Sequence, residues 1–443
     1  MGDSKMTRRD FAGKAAKTAA AGLALASGPA IRNVLGANNR IGLGLIGAGD
    51  QGRYDLKDFM RTGQVDVIAV ADPHQLNLDQ AVEMTEGKAK AFKDFRSVLD
   101  RKDIDAVLIA TPDHWHAIPM IAACAAGKDI YQEKPLSHTL YEGKKMIEAA
   151  TAHNRVVQIG TQQRSGEHFQ KAVELVQSGK IGKVCSVDTW IDWNTWPRVV
   201  DPFPDDNPPA WLDWDLWLGP APYHRYNPAR CLQSFRWYWD YANGMATDWG
   251  THLLDIALWG MGVDAPKTVC AMGGKYLLQD DTETPDTLNV IYEFPASPVS
   301  GKDFIVTFTS RFTNQRGTEG HSNGIEFFGT EGTLLVDRGG FTVWPEPKRV
   351  GGDWVDSSAV IRSDSSAQHY PHVLNFLECV KSRQTPHSSI ESGHRATSMG
   401  LLACISLKLG RKLVWDGQRQ EFPGDAEANR LITKEYRKPW IVA

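Results

Sequence analysis

Ile41-Gly42-Leu43-Gly44-Leu45-Ile46-Gly47-Ala48-Gly49-Asp50-Gln51-Gly52 decides the architecture of this 443-residue chain. Ile41–Ile46 is apolar on both faces, as a strand buried in a parallel sheet must be, and it runs directly into Gly47-x-Gly49-x-x-Gly52 at the head of a helical stretch. Placed between a strand and a helix, each glycine has a physical task. Gly47 permits the tight turn, Gly49 lets the backbone approach a pyrophosphate, and Gly52 allows close helix packing. Gln51 lies inside the loop and joins the candidate cofactor contacts. Asp72 ends the next apolar run, where a carboxylate accepts hydrogen bonds from both adenosine ribose hydroxyls and repels a 2′-phosphate. The expected cofactor is NAD rather than NADP.

Working outward, Val65–Ala71, 106–110, Asp129–Gln132 and 156–159 read as further buried strands, with helices over 115–126 and Leu140–Ala152. This is the doubly wound α/β pattern of a Rossmann domain, placed at 38–160. A helix over 166–178 leads to strands at 184–193, 268–272, 288–294, 305–312, 325–328 and 333–336. Their alternation and short turns predict an α+β domain with a largely antiparallel sheet over 161–368. Residues 369–443 are expected to form C-terminal helices and a tail packing back on the body.

Upstream, Thr7-Arg8-Arg9-Asp10-Phe11 heads an Ala-rich stretch that reads as a twin-arginine export leader over 1–37. That route carries folded proteins, so the expected location is periplasmic or secreted. With no free cofactor pool there, NAD should be retained and recycled. No later segment offers the roughly 20 apolar residues of a membrane helix, so no membrane anchoring is expected after processing. The formal net charge of −4 argues against a nucleic-acid partner. Six scattered cysteines lack any C-x-x-C pair, and buried free thiols are expected.

Ala110-Thr111-Pro112 followed by His116, then Glu133-Lys134-Pro135, then Asp248-x-x-x-His252 in the second domain resemble the glucose-fructose oxidoreductase, inositol dehydrogenase and rhizopine-catabolism (Gfo/Idh/MocA) family. The resemblance runs from about Arg40 to the C-terminus. It implies a Rossmann domain joined to an α+β domain whose open sheet carries the substrate site on one face, and a homodimer or homotetramer. It also implies cofactor contacts at Thr111, Pro112, His116, Glu133 and Lys134.

The chemistry follows from the residue types. His252 suits a general base near neutral pH. Asp248, one helical turn earlier, would orient His252 or bind a neighbouring hydroxyl. Lys134 leaves the carboxyl end of a parallel strand, where its ammonium can stabilise an alkoxide. Gln162, Gln163 and Arg164 at the domain junction, with Arg236 and Tyr238, are further substrate candidates. They sit among nine tryptophans between Trp190 and Trp249, indoles suited to stack on sugar rings or to anchor a core. His114 and His116 gain no third ligand from the sequence, so no metal is expected. The expected function is NAD-dependent oxidation of a sugar or glycoside hydroxyl, at C3, with internally recycled cofactor. Two alternatives remain open: an NAD-dependent glycoside hydrolase working by oxidation, elimination, water addition and re-reduction, and an exported sugar-binding protein with structural NAD.

Overall fold

The computed structural model describes residues 40–355 and 359–442; the expected export leader at 1–37 lies outside them. Six parallel strands form the first sheet: β1 Ile41–Ile46, β2 Val65–Ala71, β3 Lys90–Phe92, β4 Ala106–Ile109, β5 Asp129–Gln132 and β6 Val157–Ile159, in the order β3-β2-β1-β4-β5-β6. Strand order reverses between β1 and β4, which opens a crevice at their carboxyl ends, the place where open α/β sheets collect ligands. Every residue of β1 is buried because helices cover both faces. Helix α1 (Asp50–Arg61) contributes Leu56 and Phe59 to one face, while α2 (Gln75–Met84) contributes Leu78 and Ala81. On the other face α3 (Ala117–Ala125) and α4 (Leu140–Ala152) contribute Met120, Ala123 and Met146. Thr139 caps α4 by accepting from the Glu142 N–H, and the Thr139 N–H in turn donates to the Glu142 carboxylate.

Helix α5 (Glu167–Gln177) leads into a nine-stranded sheet made of β7 (Val184–Asp192), β8 (Thr268–Gly274), β9 (Thr287–Phe294), β10 (Phe304–Arg311), β11 (Asn323–Gly329), β12 (Gly332–Asp337), β13 (Gly340–Pro345), β16 (Ile361–Asp364) and β17 (Leu413–Val414). A separate ribbon pairs β14 (Lys348–Val350) with β15 (Asp353–Val355). The order is β16-β13-β12-β11-β7-β10-β9-β8-β17, and only the β10–β7 pair is parallel. One face packs on α6 (Gly250–Met261), burying Leu253, Leu254, Ile256 and Ala257 with Phe308 and Phe327 in the largest core cluster. The other face leaves Met272, Ile291 and Ile305 exposed.

Strand β13 and the edge strands β16 and β17 extend the sheet beyond the expected strands; Ile361–Asp364 is too short and polar to carry an alternation signal. The C-terminal helices divide their allegiance. Val373, Phe376 and Leu377 of α7 (His369–Ser382) pack on the Rossmann sheet, with the Phe376 ring 5.9 Å from Phe59. Helix α8 (Ile390–Leu409) instead joins the second core through Met399, Leu402 and Ile405. Each of the six cysteines is unpaired; Cys185 and Cys270 are exposed, Cys270 on the open face opposite Ile291 and Cys185 where the β7–β11 register shifts.

Candidate active site

A cleft of about 1020 Å³ runs from the glycine loop of the Rossmann domain to the start of α6. At its cofactor end Gly47 takes φ +89°, and a Cβ there would stand 2.7 Å from the Ala110 carbonyl. A Cβ on Gly52 would meet the Gly47 carbonyl oxygen at 2.1 Å, whereas one on Gly49 would meet nothing within 4 Å. Gly47 and Gly52 thus shape the loop, and Gly49 leaves the open approach a pyrophosphate needs. Asp72 braces this loop: its carboxylate accepts from the Ala48 N–H at 2.6 Å and the His74 N–H at 2.8 Å. Burial pushes its pKa up to about 6, so it remains largely anionic at neutral pH. The Thr111 hydroxyl lies buried on the cleft wall with no protein partner.

At the other end, charged groups from distant elements converge. Lys134 follows β5, and its Nζ donates to Asp248 Oδ1 at 2.5 Å and to the Asp248 carbonyl at 3.2 Å. Arg236 Nε stands 3.5 Å from the same carboxylate. Burial alone would raise the Asp248 pKa, but the charges of Lys134 and Arg236 outweigh it and hold the carboxyl anionic. His252 is buried beside them. Desolvation, reinforced by Lys134 and Arg338, holds its pKa well below the usual histidine value, so the imidazole is neutral, and its Nδ1 has no hydrogen-bond partner. Asp113 completes the group: burial raises its pKa to about 7 against the pull of Arg236. Trp193, Trp237 and Trp249 wall this end.

Comparison with known proteins gives this geometry a lineage. Residues 41–161 match the oxidoreductase family with NAD-binding Rossmann fold, and residues 166–306 and 360–442 match that family's C-terminal alpha/beta domain. The chain belongs to the Gfo/Idh/MocA oxidoreductase family. It is 24% identical over 376 residues to the myo-inositol 2-dehydrogenase of Thermotoga maritima, covering 84% of this chain and 97% of the relative. It is 29% identical over 287 residues to the levoglucosan dehydrogenase of Pseudarthrobacter phenanthrenivorans, covering 61% and 64%. A solved levoglucosan dehydrogenase in complex with NADH and levoglucosan shares the fold with a TM-score of 0.66 at 19% identity, over 85% of this chain and 99% of that one.

In this Gfo/Idh/MocA oxidoreductase the NAD-binding end gathers Gly47, Gly49, Gln51, Asp72, Thr111, Pro112 and Glu133 on the cleft wall, and the far end gathers Lys134, Gln162, Arg236, Asp248 and His252. Five expected contacts fall elsewhere, among them Gln163, which is buried and absent from the cleft wall. Gly52 packs behind the loop. His116 bridges the carbonyls of Pro135 and Thr111 at 2.6 and 2.8 Å, tying the Glu-Lys-Pro turn to the loop after β4. Arg164 is taken up by a bidentate pair with buried Asp255 at 2.7–3.0 Å and lies over the Trp259 ring. Tyr238 is a core residue beneath Arg230. Of the two roles expected of Asp248, orienting the His252 Nδ1 is not seen, because Trp249 separates its short helix (Met245–Asp248) from α6 and its carboxylate engages Lys134 and Arg236 instead.

Asp113 and Arg338 were not anticipated. Asp113 directly follows Thr111-Pro112, so the motif itself pointed to it. Arg338 arrives from the turn between β12 and β13 and carries no local signal. Among the described residues no group of three or more His, Cys, Asp or Glu side chains is placed to hold a metal ion.

Proposed function

We propose that this enzyme oxidises a hydroxyl of a sugar or glycoside, with C3 the expected position, using a tightly held NAD that is recycled in place. The observation that carries the reading is the Lys134–Asp248 pair beside a neutral His252, in the same cleft as the NAD-binding loop. The sugar-type substrates named for the inositol and levoglucosan dehydrogenases support it. Bound NAD supplies the acceptor for the two electrons that leave the carbinol carbon.

The protein's own part is proton management. His252 receives the hydroxyl proton. An imidazole whose pKa is so depressed is a weak base, so the hydroxyl must be acidified at the same moment. The Lys134 ammonium does this by stabilising charge on the substrate oxygen, and Asp248 keeps that ammonium in place. The walls of Trp193, Trp237 and Trp249 exclude water and offer apolar faces to the ring. A panel of sugars and glycosides tested with wild type, Lys134→Met and His252→Ala checks these roles: both variants should keep NAD and lose turnover, and unchanged turnover would remove either residue from the chemistry.

Asp113 favours a second reading, the redox-neutral glycoside hydrolase. Elimination after oxidation needs a second base near neutral pKa to take the proton from the adjacent carbon, and Asp113 has that property. Exchange of the C2 hydrogen with deuterated solvent during turnover would favour it, and full retention would exclude it. A sugar-binding protein with structural NAD is disfavoured by the same Lys134, Asp248 and His252 set, which binding alone does not need. An export leader at 1–37 would agree with a retained cofactor, and the proposed location is the periplasm or the cell exterior. A homodimer or homotetramer is the expected assembly, through the exposed Met272, Ile291 and Ile305 face; light scattering on Met272→Glu checks it.

A further inference from the structure

Three cations line the substrate end of the cleft: Lys134, Arg236 and Arg338. Two of them, Lys134 and Arg236, share Asp248. Arg338 is different. Its Nε is buried without a hydrogen-bond partner, no carboxylate of the described residues forms an ion pair with it, and its guanidinium is held over the Trp249 ring, 4.5 Å from the centroid. Of the other acids of the lining, Asp50 pairs with Arg53, Asp201 with Arg198 and Asp72 braces the glycine loop; burial raises Asp113 and Glu133 above the usual carboxylate range, and Asp248 and Glu133 reach Arg338 through their charge without an ion pair.

An arginine fixed on an aromatic face with no carboxylate in contact presents its donors to an anion from elsewhere. Burial of such a cation is costly unless that anion arrives. Two sources of anionic oxygen can enter this cleft, the substrate and the phosphates of the dinucleotide. The phosphates belong at the glycine loop and the N-terminus of α1. Arg338 instead stands against Trp249, and His252 feels its charge.

We propose that Arg338 holds a carboxylate of the substrate, so that the enzyme's substrate class is a sugar acid or acidic glycoside of the uronate type. This rests on the oxidoreductase reading above and narrows it. Arg338 is then a specificity residue: it fixes the acidic end of the sugar while Lys134 and His252 address a hydroxyl.

The test is calorimetric titration of the NAD-loaded full-length protein with a set of hexuronates and their parent hexoses, using wild type, Arg338→Gln and Arg338→Lys, with bound nucleotide quantified in each. Wild type should bind at least one hexuronate about 10–100-fold more tightly than its parent hexose. Arg338→Gln should erase that preference without loss of NAD, and Arg338→Lys should retain part of it. A wild type with no preference for the acids overturns the proposal, as does an Arg338→Gln protein that loses NAD and all sugars alike, which would assign the arginine to the cofactor phosphates. Hexuronate binding that depends on Arg338 but is followed by no oxidation of any sugar would sustain the anion site and defeat the oxidoreductase reading.

Discussion

The two ends of the cleft are built in opposite ways. The NAD-binding end is mostly backbone: Gly47, Gly49 and Gly52 lie within one turn of chain, and Asp72 fastens the loop through two main-chain N–H groups. The far end is all side chains, with Lys134, Arg236, Asp248, His252 and Arg338 drawn from four separate stretches. A backbone site needs only local conformation and free approach. A side-chain site needs charges desolvated together, and it is here that the neutral His252 and the raised Asp113 occur.

The sharpest way to break this division is Lys134→Met. Removing the ammonium should cost turnover by about 10³-fold or more while NAD stays bound, since the glycine end does not depend on it. A parallel loss of nucleotide, read by releasing it from denatured protein, would merge the two ends into one.

Arg164→Ala marks where the substrate end gives way to the core. It leaves buried Asp255 unpaired and should cost about 3 kcal/mol of unfolding free energy in denaturant, with the KM of any sugar unmoved. A selective rise in KM would return Arg164 to the substrate contacts.

His369 braces the NAD-binding end from the C-terminal helix. Burial works against its charge, but Asp55 at 2.9 Å and Asp58 at 2.7 Å prevail and lift its pKa to about 9. A raised histidine stabilises the fold fully below its unfolded value near 6.5 and loses that contribution as pH climbs through about 9; the difference corresponds to up to about 3 kcal/mol. Wild type should therefore lose melting temperature between pH 7 and pH 9, and His369→Gln should lose much less over the same window. Equal slopes would show that the ring is not charged.

The smallest expected effect is Gly47→Ala, which forces a Cβ toward the Ala110 carbonyl at positive φ and should weaken NAD by about 1–3 kcal/mol. Turnover at saturating NAD should be nearly unchanged.

The same contrast explains how much could be read from residues alone. Five of the six Rossmann strands and the glycine loop were legible because apolar runs and φ-permissive glycines are local facts, whereas β3, Lys90–Phe92, is too short and too exposed to form an apolar run. Lys134, Asp248 and His252 were legible only as parts of motifs, and Arg164, a polar residue at a domain junction, looked like a ligand contact because nothing in its neighbourhood announces Asp255. Arg338 comes from a turn that the chain reaches long after the other members of the site, so its role depends on sheet topology rather than on spacing. Tyr238 misleads for the reverse reason: it lies in an aromatic stretch that faces the cleft through Trp237 but the core through its own ring.

The most direct test follows the nicotinamide absorbance of the protein as purified, without added cofactor, when sugars and glycosides are mixed with wild type and with Lys134→Met. Wild type should hold stoichiometric nucleotide and pass through the reduced form on mixing, and the variant should hold the same nucleotide and remain oxidised. A wild type that is empty and needs added NAD would contradict the retained cofactor, and a Lys134→Met protein reduced at the wild-type rate would contradict the chemistry assigned to the far end of the cleft.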